Sequence, residues 1–407
     1  MRVSSAFNRL LQIPGASVSD VVIGERDVEV TLRPRKQLLS CPCGQQIRAV
    51  YDRRRRRWRH LDLASHRLWL VYEIRRLRCP DCGVRTEELP WARPGARHTR
   101  DFEDTVLWLA ARTDRTTVAT LLRCAWETVT AIINRTVDEL LDQRRLDEIY
   151  RIGVDEICYR HPHKYLTIIG DHATGTVIDV QPGRGVESLT NFYDRLSADQ
   201  RGDIEAVSVD GSTAFRAATE AKLPDAVICY DPFHVMQWTN RALDEVFAAA
   251  VATNRADFAL SSGQWRKART ALRTGAERLN LARHHLVETI TTQNHDIGTA
   301  WRLKEQLRQL FRIAHPARAP RYLRRWIRRA TDSGIRPFRQ LARRLELHFD
   351  GIINTIKLGI TNGLIEGINA KIRLINARGY GHHSAKALTS MIYLCLGGLH
   401  PKLPMRT

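Results

Sequence analysis

Asp155 lies in an apolar, β-rich run, Ile152-Gly153-Val154-Asp155-Glu156, and Asp210 closes another, Ala206-Val207-Ser208-Val209-Asp210-Gly211. A carboxylate at the end of a buried strand is costly unless something compensates it. For one isolated aspartate, capping a turn or pairing with an arginine is enough. Two on adjacent central strands have a further option, because a shared divalent cation offsets their mutual repulsion. A third carboxylate comes late, in Thr361-Asn362-Gly363-Leu364-Ile365-Glu366-Gly367-Ile368-Asn369-Ala370-Lys371-Ile372-Arg373. There Leu364, Ile365, Ile368, Ile372 and Ile375 make the buried face of a helix, while Glu366, Asn369, Ala370 and Arg373 recur at i, i+3, i+4 and i+7 on another. The spacing lets Glu366 point toward the two aspartates with Asn369 and Arg373 along the same groove. The plain alternative is a surface helix with a stray glutamate, started by an Asn362-Gly363 turn.

Of the eight cysteines, four form two close pairs, Cys41-Pro42-Cys43-Gly44 and Cys79-Pro80-Asp81-Cys82-Gly83. The second has the form of a zinc knuckle, in which proline shapes the turn and glycine lets backbone amides approach the thiolates. The first is one residue short. A strained site of four thiolates, a site borrowing His60 or His66, and a metal-free ribbon all fit that spacing. The 35 residues between Cys43 and Cys79 leave room for a small hairpin, read as Leu61–Leu63 with Leu68–Ile74. Cys124, Cys158, Cys229 and Cys395 stand singly in apolar surroundings and read as core.

The elements that must position these groups follow from periodicity. Residues 1–32 offer a short helix and an extended stretch turning at Gly24. A basic module with the cysteines occupies 33–98. Helical spacing takes over in 99–147, where Thr116–Arg123 and Glu127–Leu141 flank a break at Cys124-Ala125-Trp126, a helix-turn-helix pattern with Thr128 and Thr130 near the start of its second helix. From 148 to 240 come three strands in hairpin succession, then helix, strand, helix, strand, the order of an RNase H-like core whose first and fourth strands lie side by side. Residues 241–350 read as almost wholly helical, and 351–400 return to the core carrying Glu366. The fold class expected is multidomain α/β, a mixed-sheet core with a large all-helical insertion behind a small zinc-ribbon-like module and a helix-turn-helix.

Charge narrows the partner. Over 407 residues, 64 Lys and Arg stand against 44 Asp and Glu, a formal net charge of +20. The excess concentrates in residues 33–100, with 18 basic against 6 acidic, and in 301–345, with 14 against 2. The densest run, Arg53, Arg54, Arg55, Arg56, Arg57 and Arg59 around Trp58, suits phosphate contacts, which supply affinity without sequence information. The longest apolar stretch, Leu388–Leu399, falls short of the roughly 18 residues of a membrane span. Arg9, Pro14 and Asp20 interrupt any secretory signal. The expectation is a cytoplasmic, nucleoid-associated protein.

Together the passages around Asp155, Asp210 and Glu366, with Tyr230-Asp231-Pro232-Phe233-His234-Val235, resemble the bacterial insertion-sequence transposases of the ISL3 family, and the likeness runs from Cys41 to about Leu396. The resemblance implies that Asp155, Asp210 and Glu366 form a DDE catalytic triad holding two Mg²⁺ (or Mn²⁺) ions. It further implies that Asp231 and His234 support them and that the helical block is an insertion domain. It implies zinc on Cys41, Cys43, Cys79 and Cys82, although the compressed first pair departs from the usual knuckle. The partners would be double-stranded DNA, both terminal inverted repeats and target, bound by a homo-oligomer, with neither a membrane nor a small-molecule substrate. Two rivals differ in class: a DNA-binding regulator with an inert core, and an RNase H-like nuclease that cuts without joining.

Overall fold

The computed structural model describes residues 2–36, 39–41, 43–141, 143–254 and 262–404. Pro42 and residues 255–261, within the expected helical insertion, lie outside them. The chain divides into two compact units, Met1–Leu141 with Ile375–Thr407, and Asp142–Leu374.

In the first unit, helix α1 (Val3–Leu11) precedes strands β1 (Ala16–Ile23) and β2 (Asp27–Pro34), which pair as a hairpin. A two-stranded ribbon of β3 (Leu39–Ser40) and β4 (Gln46–Ile47) follows, then β5 (Val50–Arg59), β6 (Arg67–Cys79) and β7 (Gly83–Thr86). The large sheet runs β1-β2-β6-β5, with β7 on the far end of β6. Val28, Val30, Leu32, Trp58, Leu68, Leu70 and Tyr72 form its core with Phe7 of α1.

One expectation fails here. The antiparallel partner of β6 is the arginine run itself, and Leu61–Leu63 contributes only a bridge from Leu63 to His66. Alternation within β5 was masked because arginine stems cover apolar surface as well as aliphatic side chains do. Arg56 lies over Trp58 at 5.0 Å and Arg57 over Trp69 at 4.4 Å, while Trp58 is buried.

Helices α2 (Arg100–Ala110), α3 (Arg115–Leu121) and α4 (Trp126–Leu140) follow. Thr99 caps α2 and Asp114 caps α3, each accepting a backbone N–H of the first turn. The turn into α4 falls where the break was read, and Val118, Val129, Ile132 and Ile133 are buried as the helix-turn-helix spacing requires. Glu103, wholly buried, is held by Arg93 at 3.0 Å and by Arg135. Helix α16 (Ala385–Leu396) packs on α4.

The second unit is built on β8 (Arg151–Arg160), β9 (Lys164–Asp171), β10 (Val177–Pro182), β11 (Ala206–Val209) and β12 (Val227–Tyr230), in the order β10-β9-β8-β11-β12. β8, β9 and β10 are antiparallel neighbours, and β11 and β12 run parallel to β8, as the RNase H-like reading requires. Helices α5 (Val186–Arg195), α6 (Ala198–Asp203) and α7 (Thr213–Lys222) connect the strands; α6 was not anticipated. After β12 the chain is helical: α8 (Pro232–Asn254), α9 (Ser262–Arg273), α10 (Leu281–Gln293), α11 (His295–Leu310), α12 (Ala319–Asp332), α13 (Arg336–Leu347), α14 (Phe349–Leu358) and α15 (Gly363–Arg378). Leu307, Leu323, Trp326, Phe338 and Leu345 form the helical core, and Arg321, Arg325, Arg328 and Arg343 face outward.

What seats α15 on the sheet is a notch. A Cβ on Gly153 would meet Ile365 at 2.3 Å, and one on Gly170, its partner across β8 and β9, would meet the same side chain at 2.7 Å. Two glycines in facing register let the helix approach as no larger pair would. Among the described residues, no helix is long and apolar enough to cross a membrane.

Candidate functional site

The register of β8 and β11 sets the first two carboxylates. Ser208 pairs with Gly153, so Asp210 and Asp155, each two residues further along parallel strands, come level, Asp155 midway along β8 and Asp210 just past the end of β11. Asp155 receives the N–H of Glu156 on one oxygen at 2.7 Å and Nδ2 of Asn369 on the other at 2.8 Å. Burial, with the charge of Asp210 adding to it, pushes the Asp155 carboxyl up to about 6. Asp210 accepts the N–H of Ser212 at 2.9 Å. Glu156 is raised as well, by burial and then by Asp210, with Arg184 opposing at 3.7 Å.

Glu366 meets a different pair first. Ligand atoms of Asp231, His234 and Glu366 all lie within 4.8 Å of one another. Asp231, at the end of β12, accepts from His234 Nδ1 at 3.2 Å and from the Asn362 N–H at 3.1 Å. Glu366 is raised by burial and by Asp231. His234 is raised by its bond to Asp231, against burial, and the charges of Asp210 and Asp155 act on it in the same sense. The imidazole therefore sits in the field of both groups: Asp155 and Asp210 on one hand, Asp231 and Glu366 on the other. Of the three polar residues read along α15, Asn369 reaches Asp155, Glu366 reaches Asp231 and His234, and Arg373 is exposed.

Sequence reasoning missed the hydrogen-bonded line beneath. His172 Nε2 donates to Ser208 Oγ at 2.9 Å, and that hydroxyl donates to Asn362 Oδ1 at 2.8 Å. Asn362, an ordinary turn only in the plainer of the two readings of this helix and given no role in the other, thereby ties β11 to Asp231. The signal was Ser208, one hydroxyl in the otherwise apolar run of β11. The donor chemistry suits a hard cation: burial raises the carboxyls of Asp155, Glu156 and Glu366, and Asn369 Oδ1 is buried without a hydrogen-bond partner.

In the first unit, Cys41, Cys43, Cys79 and Cys82 converge with their sulfurs all within 4.8 Å, and no histidine joins them among the described residues. His60 is committed elsewhere, its Nδ1 2.8 Å from Thr99 Oγ1. A tetrahedral zinc with bonds of about 2.3 Å separates its sulfurs by about 3.8 Å, and Cys43 and Cys79 stand 3.6 Å apart. The short pair is accommodated by its turn, where Gly44, in the left-handed region, donates to the Cys41 carbonyl at 2.8 Å. The backbone N–H of Gln45 and the neighbouring thiols bring Cys43 down to about 7. Of the single cysteines only Cys229 is fully buried; Cys124, Cys158 and Cys395 are half-buried.

The predicted phosphate contacts divide. Arg53, Arg54, Arg55 and Arg57 are exposed along β5 and Arg56 is half-buried. Arg59 is buried, paired with Asp62 and donating to the His60 carbonyl at 2.6 Å, so it belongs to the core of the module. Thr128 and Thr130 are half-buried on the first turns of α4, and Thr130 accepts from Arg115 at 3.3 Å.

Three family models match this chain: a transposase domain of ISL3 type over residues 152–392, a helix-turn-helix domain of transposase family ISL3 over 87–137, and the zinc finger of transposases IS204, IS1001, IS1096 and IS1165 over 37–82. The chain is 34% identical to the transposase for insertion sequence element IS1557 of Mycobacterium tuberculosis, across 100% of this chain and 98% of that protein. It is 28% identical to the transposase for element IS1001 of Bordetella parapertussis, across 88% of each.

Proposed function

The chain belongs to the ISL3 family of transposases, and from that premise we propose that it binds the terminal repeats of an insertion sequence and catalyses metal-dependent cleavage and transfer of DNA strands. The observation that supports this reading is the approach of β8, β11, β12 and α15 to two sets of acids that both act on His234: Asp155 level with Asp210 and bonded by Asn369, and Asp231 with Glu366.

Asp155, Asp210 and Glu366 are the metal ligands in this proposal, with Mg²⁺, or Mn²⁺ in its place, suited to their oxygens. Bound there, two such ions would supply Lewis-acid activation of water and later of a DNA 3′-hydroxyl, and charge stabilisation of the leaving oxygen. The chain's own groups prepare the site. The Glu156 amide and Asn369 fix the two oxygens of Asp155 in orientation. His234, hydrogen-bonded to Asp231 and surrounded by acids, is raised above its ordinary value, so it takes up a proton more readily than a free imidazole. Asp231 and Asn362 hold His234 and the start of α15 in place.

Zinc on the four cysteines would fold the ribbon, while β5 and α4 would engage the element ends, two copies of the chain acting on paired ends. Incubating the purified protein with labelled element ends and Mg²⁺ tests the proposal. Asp155→Asn, Asp210→Asn and Glu366→Gln should each abolish cleaved and joined products while DNA binding stays nearly intact. Transposition by any one of them would remove that residue from the mechanism, and cleavage without joined products in the wild type would favour a nuclease.

A further inference from the structure

We propose that the first unit carries a binding cleft for a single unpaired nucleotide, with Tyr380 as its stacking platform, beside the start of the second helix of the helix-turn-helix. This rests on the DNA-binding reading above and adds a ligand to it, an unstacked base rather than duplex.

The cleft has a volume of about 470 Å³ and is lined by Arg115, Trp126 and Thr130 on one wall and by Tyr380, His382 and His383 on the other. That is the size of a small-molecule site; a duplex cannot enter it, and one nucleotide can. Its lining combines two aromatic rings, two imidazoles and a guanidinium, the groups on which proteins stack single-stranded nucleic acid, with the Asp114 carboxylate beside them engaged by the Thr117 N–H and hydroxyl. Arg115 ties the walls together. Its guanidinium lies 5.2 Å from the Trp126 ring and donates to Thr130 Oγ1 and to the Ala387 carbonyl, each at 3.3 Å.

Tyr380 is the second, independent observation. The C-terminus of α15 closes in a Schellman arrangement: Gly381 N–H donates to the Asn376 carbonyl at 2.8 Å and Tyr380 N–H to the Ala377 carbonyl at 3.0 Å. In that motif the residue at Tyr380 is left-handed, and glycine is the usual occupant. Here φ is +52° on a tyrosine that is 91% exposed, with glycines on both sides. An aromatic residue in that conformation costs about 1–2 kcal/mol relative to glycine, and an exposed ring recovers none of it by burial. A ring kept in solvent at such a cost, at the mouth of a cleft lined by Trp126 and the Arg115 guanidinium, is explained by a partner that stacks on it. His382 shapes the floor. Its ring packs so closely that a Cβ on Gly379 would lie 2.7 Å from Cε1. Its Nδ1 pairs with Asn376 Oδ1 at 3.0 Å as the donor, which makes Nε2 an acceptor.

The test uses the full-length protein and fluorescence anisotropy with three labelled DNAs of one duplex sequence. One is blunt, one carries a short thymidine overhang, and one carries the same overhang with abasic residues; both overhang polarities are measured. Wild type should bind the thymidine overhang about tenfold more tightly than the other two. Tyr380→Phe should keep that preference. Tyr380→Gly should reduce it to none while leaving blunt-duplex affinity unchanged and raising the melting temperature, because glycine is at home in the left-handed cap. Equal binding of the abasic overhang would mean phosphate contacts alone and would overturn the proposal. So would a preference surviving in Tyr380→Gly, or blunt binding with no preference in the wild type. Absence of any duplex binding would instead sink the DNA-binding reading, and this inference with it.

Discussion

The cysteine cluster and the carboxylate cluster assemble in opposite ways. The four thiols come from two tight turns within 42 consecutive positions, Cys41 to Cys82, and little else surrounds them: Leu39, Leu77 and a few half-buried neighbours form a separate small core. The acids come from β8, β11, β12 and α15, spread from Asp155 to Glu366, and are positioned by a large core that does not need them. On the proposed metal assignments, metal and fold are coupled in the first and separable in the second: a ribbon with so small a core would require zinc for stability, whereas a rigid sheet can present acids whose repulsion it tolerates.

The largest effect expected from breaking that contrast is catalytic. Asp155→Asn or Asp210→Asn should lower strand cleavage by on the order of 10³-fold or more, with no loss of thermal stability, since the variant removes a repulsive charge and leaves the sheet intact. Cleavage assays paired with calorimetry measure both quantities. Cys79→Ser should do the reverse in kind, removing stoichiometric zinc by metal analysis and destabilising the first unit by several kcal/mol. Leaving out Mg²⁺ while zinc is retained should stop cleavage without unfolding either unit. Gly153→Ala should drive a methyl into Ile365, costing about 1–3 kcal/mol and lowering cleavage by shifting α15; Gly153→Ala with Ile365→Val should recover part of both.

The smallest expected effect is a pH dependence in the first unit. Burial, with Arg59 adding to it, holds His60 at about 4, below its ordinary value. A histidine lowered in the folded state contributes stability that is complete above about 6.5 and is lost as pH falls toward 4, because the unfolded chain takes up the proton first. Melting temperature should fall across that window in wild type, where His98 and His382, also lowered to about 4 by burial, contribute, and fall less steeply in His60→Gln.

Much of this was readable without coordinates, for local reasons. Helical spacing around Val118 and Val129 located the helix-turn-helix, and the alternation of hairpin strands and helices located the core, since each depends on neighbours a few residues away. β5 was misread because arginine does two jobs there, covering Trp58 while its charge faces solvent. Asn362 was underrated because its partners, Ser208 and Asp231, lie more than a hundred positions back.

Residue order alone determined that three acids end or follow apolar segments, that four cysteines come in two turns, and that basic charge gathers in two tracts. Only the tertiary structure decided which acid meets which. α15 descends into the notch at Gly153 and Gly170 at one particular height and rotation. That single placement gives Asn369 to Asp155 and Glu366 to His234. Helix periodicity specifies the face a side chain shares with its neighbours, but the rise along the sheet is set by close packing against side chains from distant strands.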